Sequence, residues 1–169
     1  VFSGCLSDGS GEQIVFPIDN EPQYLDPQIV SDSGAANIIQ NCFEGLLTYD
    51  ADGRIVPAGC ESYEVSVNRL VYTFKLRKDA KWLVPRAART LFEEDELKSF
   101  DTSVKAADYV FTFRRLADSD TGSQYAELIM NIKNAKKVNK KQLSAENLGV
   151  YAKDDYTLVI ELEMPDADF

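Results

Sequence analysis

Ser62-Tyr63-Glu64-Val65-Ser66-Val67-Asn68-Arg69-Leu70-Val71-Tyr72-Thr73-Phe74-Lys75-Leu76-Arg77 alternates apolar and polar residues on both sides of an Asn-Arg pair. Successive side chains of a strand point to opposite faces, so a period of two marks a strand with one buried side. Tyr63, Val65 and Val67 share one face of the first half, and Tyr72, Phe74 and Leu76 one face of the second. Asn68-Arg69 turns the chain between them. The stretch predicts a hairpin with one buried face.

A second hairpin is expected at the end of the chain. Val150 and Ala152 lead in, Asp154-Asp155 turn, and Tyr156, Leu158, Ile160 and Leu162 face inward. Between the hairpins, apolar residues at helical spacing predict helices over about 104–117 and 123–133. Upstream, 13–18 reads as a strand and 19–27 as a loop, since Pro22 and Pro27 bar a helix there. Residues 29–33 read as extended. A helix is expected over 34–47, capped by Ser33, with Ile38, Ile39, Cys42, Phe43, Leu46 and Leu47 on one side. Asp50-Ala51-Asp52-Gly53 is a turn. Hairpins mixed with helices give the fold class α+β.

Composition narrows the function. The 169 residues suit one domain, or one and a fraction. Eighteen basic against 28 acidic side chains leave a formal charge of −10. Such a chain lacks the cationic surface that nucleic-acid phosphates require. The short basic run Lys136-Lys137 with Lys140-Lys141 reads as solvated surface. There is no histidine, the commonest general base and metal ligand. Cys5, Cys42 and Cys60 show neither zinc nor redox spacing. No phosphate-binding glycine loop or nucleophile elbow occurs. The carboxylate pairs Glu93-Glu94 and Asp154-Asp155 lie in an acidic segment and a turn, unlike the buried, separated pair that hydrolysis needs. No catalytic residue, metal site or cofactor is expected.

A family resemblance then emerges from ordered blocks. Glu21-Pro22-Gln23-Tyr24-Leu25-Asp26-Pro27 is followed by Phe43-Glu44-Gly45-Leu46-Leu47, Tyr72-Thr73-Phe74-Lys75-Leu76-Arg77 and Ala80-Lys81-Trp82. Phe113-Arg114-Arg115-Leu116-Ala117-Asp118, Leu148-Gly149-Val150 and Asp154-Asp155-Tyr156-Thr157-Leu158 complete the series. In this order the blocks resemble the start of the oligopeptide- and dipeptide-type solute-binding proteins (family 5) of bacterial ABC importers. The resemblance implies a receptor rather than an enzyme: an extracytoplasmic protein that captures peptides and delivers them to ABC permease subunits. It implies an incomplete chain of a two-lobed protein. Residues 13–42 would then open the peptide-binding lobe and 43–169 form an accessory subdomain, after a linker at 1–12.

The same resemblance carries specific residues. The ligand-pairing segment maps to Ser31, Asp32 and Ser33, and Tyr125 matches a tyrosine that approaches the ligand. As residues alone, Ser31 to Ser33 read as a helix-entry loop, which Ser and Asp favour, and Tyr125 equally suits a packing role. Leu25-Asp26-Pro27 reads as architectural, and Trp82 as a packing residue. Ser3-Gly4-Cys5 before a polar linker looks like the end of a lipoprotein signal, which makes Cys5 the expected lipidation site and the lipid the only membrane contact. Cys42 and Cys60 are expected as two packed thiols in preference to a bridge. At about 83–103 the chain departs from the family: a longer insert replaces a short Asp-Gly turn, and Lys105 stands where a threonine would cap the next helix. Thr102 or Ser103 is expected to cap instead, with a capping box at Thr90 to Glu93 and with Leu91, Leu97 and Phe100 facing the body. Two rival functions remain: a carboxylate-based hydrolase, and a surface adhesion module on the same scaffold.

Overall fold

The computed structural model describes residues 17–18, 21–84, 89–167 and 169. The expected strand over 13–18 therefore lies almost wholly outside the described residues, as does Cys5. The chain divides into two compact units, Val1–Phe43 and Glu44–Phe169.

In the first unit, Asp26 builds a turn. Its carboxylate accepts from Gln28 N at 3.0 Å, and its carbonyl accepts from the amides of Ile29 and Val30. Pro27 cannot donate, so it fits inside this turn. Helix α1 follows at Ser33–Cys42. Asp32, not Ser33, is its cap: Asp32 Oδ1 accepts from Ala35 N at 2.8 Å. The helix also stops earlier than expected. Phe43 is extended, and Leu47 begins a strand instead of a last helical turn. Strand pairing and the bonds of Gly45 and Leu46 to Ala58, Gly59 and Cys60 outweigh the apolar period that would have prolonged the helix.

The second unit is an α+β layer structure. Strands β1 (Leu47–Tyr49) and β2 (Ile55–Pro57) form a two-stranded antiparallel sheet around the Asp50–Gly53 turn. Asp50 Oδ1 holds that turn by accepting from the amides of Asp52 and Arg54, and Gly53 takes the φ of 76° it demands. Strands β3 (Cys60–Val65), β4 (Val71–Leu76), β5 (Val150–Asp154) and β6 (Thr157–Glu161) form an antiparallel sheet ordered β3-β4-β6-β5. Both expected hairpins are present, and they join through β4 and β6, with Tyr72 opposite Ile160 and Phe74 opposite Leu158.

One face of this sheet carries the core. Tyr72, Phe74, Leu76, Val150, Leu158 and Ile160 are buried there, beneath Ala106, Val110 and Ala117 of a helix and Ile132, Ala135 and Val138 beyond it. The first hairpin is less buried than its alternation implied. Tyr63 stacks on Phe74 at 5.7 Å yet stays 42% exposed, because β3 is an edge strand. Val67 lies past the strand end and is fully exposed.

Four further expectations are corrected. The first intervening helix spans Ala106–Ala117 with Lys105 at its N-cap; Lys105 N donates to Asp108 Oδ2 at 2.8 Å, and neither Thr102 nor Ser103 caps it. The second is no long helix. Ala126–Ile129 makes one 3-10 turn, after which Ile132 bridges to Leu162 and Lys133 N donates to Glu161 O. Those sheet contacts straighten the segment before a short helix at Ala135–Asn139 that the sequence reading missed. Within the insert, the helix is Glu94–Ser99, and its box joins Glu93 to Glu96, not Thr90 to Glu93. Leu91 and Phe100 do not face the body: they are 80% and 54% exposed.

In chain order, the helices after α1 are α2 (Glu94–Ser99), α3 (Ala106–Ala117) and α4 (Ala135–Asn139). Both described cysteines are free thiols. Cys60 is packed, and burial pushes its pKa up; Cys42 is exposed, unlike the packed thiol expected.

Candidate functional site

Ser31, Asp32 and Ser33 sit together at the start of α1 in the first unit, and all three are exposed. Asp32 is extended, with φ −94° and ψ 148°, and Ser33 is the first helical residue. The Asp32 carboxylate is engaged by Ala35 N, and its carbonyl accepts from Ala36 N. What this segment can offer an extended ligand is therefore mainly backbone and hydroxyl chemistry, with the carboxylate already serving the helix.

Tyr125 belongs to the second unit. It precedes the 3-10 turn Ala126–Ile129, its amide donates to Ser123 Oγ at 3.1 Å, and its carbonyl accepts from Leu128 N. Tyr125 is 44% exposed, and a phenol combines an apolar ring with a hydrogen-bonding tip.

The segment leading to Tyr125 is fixed from several sides. Asp118 caps Ser119–Thr121 by accepting from Asp120 N, and Gly122 closes the turn at φ 70°. Thr121 Oγ1 donates to Arg115 O at 2.6 Å, tying the turn back to α3. Lys141 donates to Asp118 and lies 2.9 Å from Asp120. The hydrogen bond from Lys141 holds the Asp118 carboxyl below its usual range, and the two aspartates raise the lysine. Asn139 Nδ2 reaches Ala117 O. Sequence reasoning treated Lys140-Lys141 as plain surface. Its partner lies 23 residues away, and no local pattern signals that contact.

The carboxylate pairs have structural tasks. Glu93 caps α2, and Glu94 pairs with Lys98 at 2.9 Å. Asp154 accepts from Tyr156 N in the β5–β6 turn, a bond that lowers its pKa, while Asp155 pairs with Lys105 at 3.0 Å. Trp82, expected as a packing residue, lies outside the core and is exposed; its indole N–H donates to Asp108 Oδ2 at 3.2 Å. Among the described residues, no helix is long and apolar enough to cross a membrane.

Comparison with known proteins bears on what this arrangement serves. Residues 54–169 match the family model described as bacterial extracellular solute-binding proteins, family 5 Middle. The periplasmic oligopeptide-binding protein OppA of Haemophilus influenzae is 33% identical over 156 residues, covering 91% of this chain and 26% of its own length. The oligopeptide-binding protein OppA of Bacillus subtilis is 29% identical over 171 residues, 97% of this chain and 28% of the relative. Among solved structures, Listeria monocytogenes OppA bound to peptide matches with a TM-score of 0.71 at 35% identity, over 85% of this chain and 25% of that one. The Escherichia coli murein tripeptide binding protein MppA matches with a TM-score of 0.73 at 32% identity, over 89% and 26%. The chain thus spans about a quarter of the length of the relatives it matches. From the family match across 54–169, the chain belongs to the bacterial extracellular solute-binding proteins of family 5.

Proposed function

We propose that this chain is the opening part of an extracytoplasmic receptor that captures peptides and passes them to the permease of an ABC importer. The observation that carries the proposal is the likeness, at 35% identity, to an OppA solved with peptide bound. Residues 13–42 would begin the peptide-binding lobe and 43–169 form the accessory subdomain. A binding protein needs no catalytic group, and the adjacent pairs Glu93-Glu94 and Asp154-Asp155 serve a cap, a turn and ion pairs.

Within this reading, Ser31 to Ser33 contact the ligand through backbone and hydroxyl groups, in the manner of strand addition. Tyr125 contributes its ring face and hydroxyl. The test is calorimetric titration of a tripeptide into the protein purified from its own cells. Tyr125→Ala is expected to weaken binding about tenfold, roughly 1.4 kcal/mol, with an unchanged melting temperature. Equal affinity would make Tyr125 a packing residue.

The same proposal includes a lipid on Cys5, which holds the receptor at the membrane. It rests on small residues before a cysteine and a polar linker after it. One acyl chain anchors only weakly, so several are required for stable attachment. Cys5→Ser should move the protein from the membrane to the soluble fraction. An unchanged distribution would dismiss lipidation at Cys5.

A further inference from the structure

The 83–103 insert is held firmly at its base. Lys81 and Ser103 form a β-bridge, Trp82 N donates to Thr102 O at 2.7 Å, and Val104 N donates to Ala80 O at 3.0 Å. Lys105 adds a fork: its ammonium lies 3.1 Å from Asp101 and 3.0 Å from Asp155 of the β5–β6 turn. Ala106 N also donates to Asp155 O. The described base of the insert, 80–82 against 102–105, is therefore a closed neck.

What the neck presents is an amphipathic helical turn with exposed apolar residues around it and a half-buried Leu97 within it. In α2, Glu94 and Lys98 pair on one face. Leu97 and Phe100, three residues apart, fall on another, and Phe92 stands where a residue before the cap staples onto Leu97. None of Leu83, Leu91, Phe92, Leu97 or Phe100 belongs to the core cluster of the second unit. Leu83 is 90% exposed, Leu91 80%, and Phe92 and Phe100 just over half. Three exposed apolar side chains within ten residues, Leu91, Phe92 and Phe100, on an element pinned at its base suit an interaction surface. Its charge is also specific. Glu93-Glu94-Asp95-Glu96 runs directly beside Phe92, and Asp101 directly follows Phe100.

We propose that the insert is a docking element for a cationic amphipathic segment of a partner protein. The partner's apolar side chains would cover Leu91, Phe92 and Phe100, and its Lys or Arg side chains would meet Glu94 and Asp95. An anionic lipid surface does not fit, because the same carboxylates would be repelled by the headgroups. A fixed neck favours such docking, since less ordering entropy is lost when the partner arrives. The element is independent of the peptide site proposed above, and either can fail alone.

The test is fluorescence anisotropy with a labelled amphipathic peptide of Lys and Leu at helical spacing, against its counterpart with Glu in place of Lys. The Lys peptide is expected to bind this chain and the Glu peptide not to. Leu91→Ser with Phe92→Ser and Phe100→Ser should weaken binding about tenfold. Glu94→Gln with Asp95→Asn should weaken it and flatten its dependence on salt. These positions are exposed, and Glu96, which holds the α2 cap, is left intact. Tyr49→Ser with Ile55→Ser, which removes an equally exposed pair on the other sheet, should change nothing. Equal weakening by that control, equal binding of both peptides, or no binding would overturn the proposal. So would protection of Phe92 and Phe100 from hydroxyl-radical labelling in the protein purified alone from its own cells, since the protein itself would then cover the surface.

Discussion

Single residues decide local geometry where space or bonding leaves no alternative. Gly59 is one. Its amide donates to Gly45 O, and a Cβ there would lie 2.4 Å from the Tyr109 hydroxyl and 2.8 Å from Gly45 O. Backbone sets the second contact, so it cannot simply swing away. Gly59→Ala should cost about 1–3 kcal/mol, read as a lower urea midpoint with unchanged slope. Leu158 is wholly buried among side chains of both layers, and Leu158→Ala should cost about 2–5 kcal/mol in the same assay. Asp32 is a different case. Because its carboxylate caps α1, Asp32→Ala should destabilise the helix by about 1 kcal/mol, while Asp32→Asn keeps the cap. Faster amide exchange at Ala35 in the alanine variant alone would register this. The comparison reads capping alone: as residues Ser31 to Ser33 read as a helix-entry loop, and only the family resemblance adds a ligand contact.

At the scale of elements, the neck of the insert has a pH signature. The Asp101 carboxyl is lowered from its ordinary 3.8 to about 2, first by the amide of Ser103 and then by Lys105. Lys105 is raised in turn by Asp155 and Asp101. A carboxyl depressed by folding takes up more protons unfolded than folded between these two values. Its stabilisation is present above about pH 4 and is lost as pH falls towards 2. Asp101→Asn should therefore flatten the fall in melting temperature across that window, and an unchanged profile would remove Asp101 from the neck. The neck was illegible in sequence because its contacts join Lys81 to Ser103 and Lys105 to Asp155, and nothing local encodes those pairs. The hairpins were legible because a period of two survives inspection: Tyr72, Phe74, Leu76, Leu158 and Ile160 all reached the core. The same rule overreached at Tyr63, Val65 and Val67, since burial of β3 depends on where the helices lie over the sheet. The expected helix over 123–133 failed for a related reason. Its apolar residues do face the core at Ile129 and Ile132, but through a 3-10 turn and a bridge to Leu162.

At the scale of the whole molecule, the core of the second unit is closed by pairing β4 with β6, so that Lys75 meets Thr157 across 82 residues of sequence. All of that core comes from Glu44–Phe169. The second unit should accordingly unfold cooperatively. A two-lobed receptor surrounds its ligand, whereas this chain spans about a quarter of its relatives. Titration of tri- to pentapeptides into these 169 residues alone should give no saturable heat near micromolar affinity, about −8 kcal/mol. Family membership was legible because its blocks are local and ordered. Ser31 to Ser33 and Tyr125 were legible only as candidates, because a ligand contact leaves no local periodicity or spacing to read. The most direct measurement is mass spectrometry of small molecules released on denaturing the protein purified from its own cells. A set of short peptides, depleted in the Tyr125→Ala variant, is the expected result. Wild-type protein that releases no peptide would contradict the assignment as a peptide receptor.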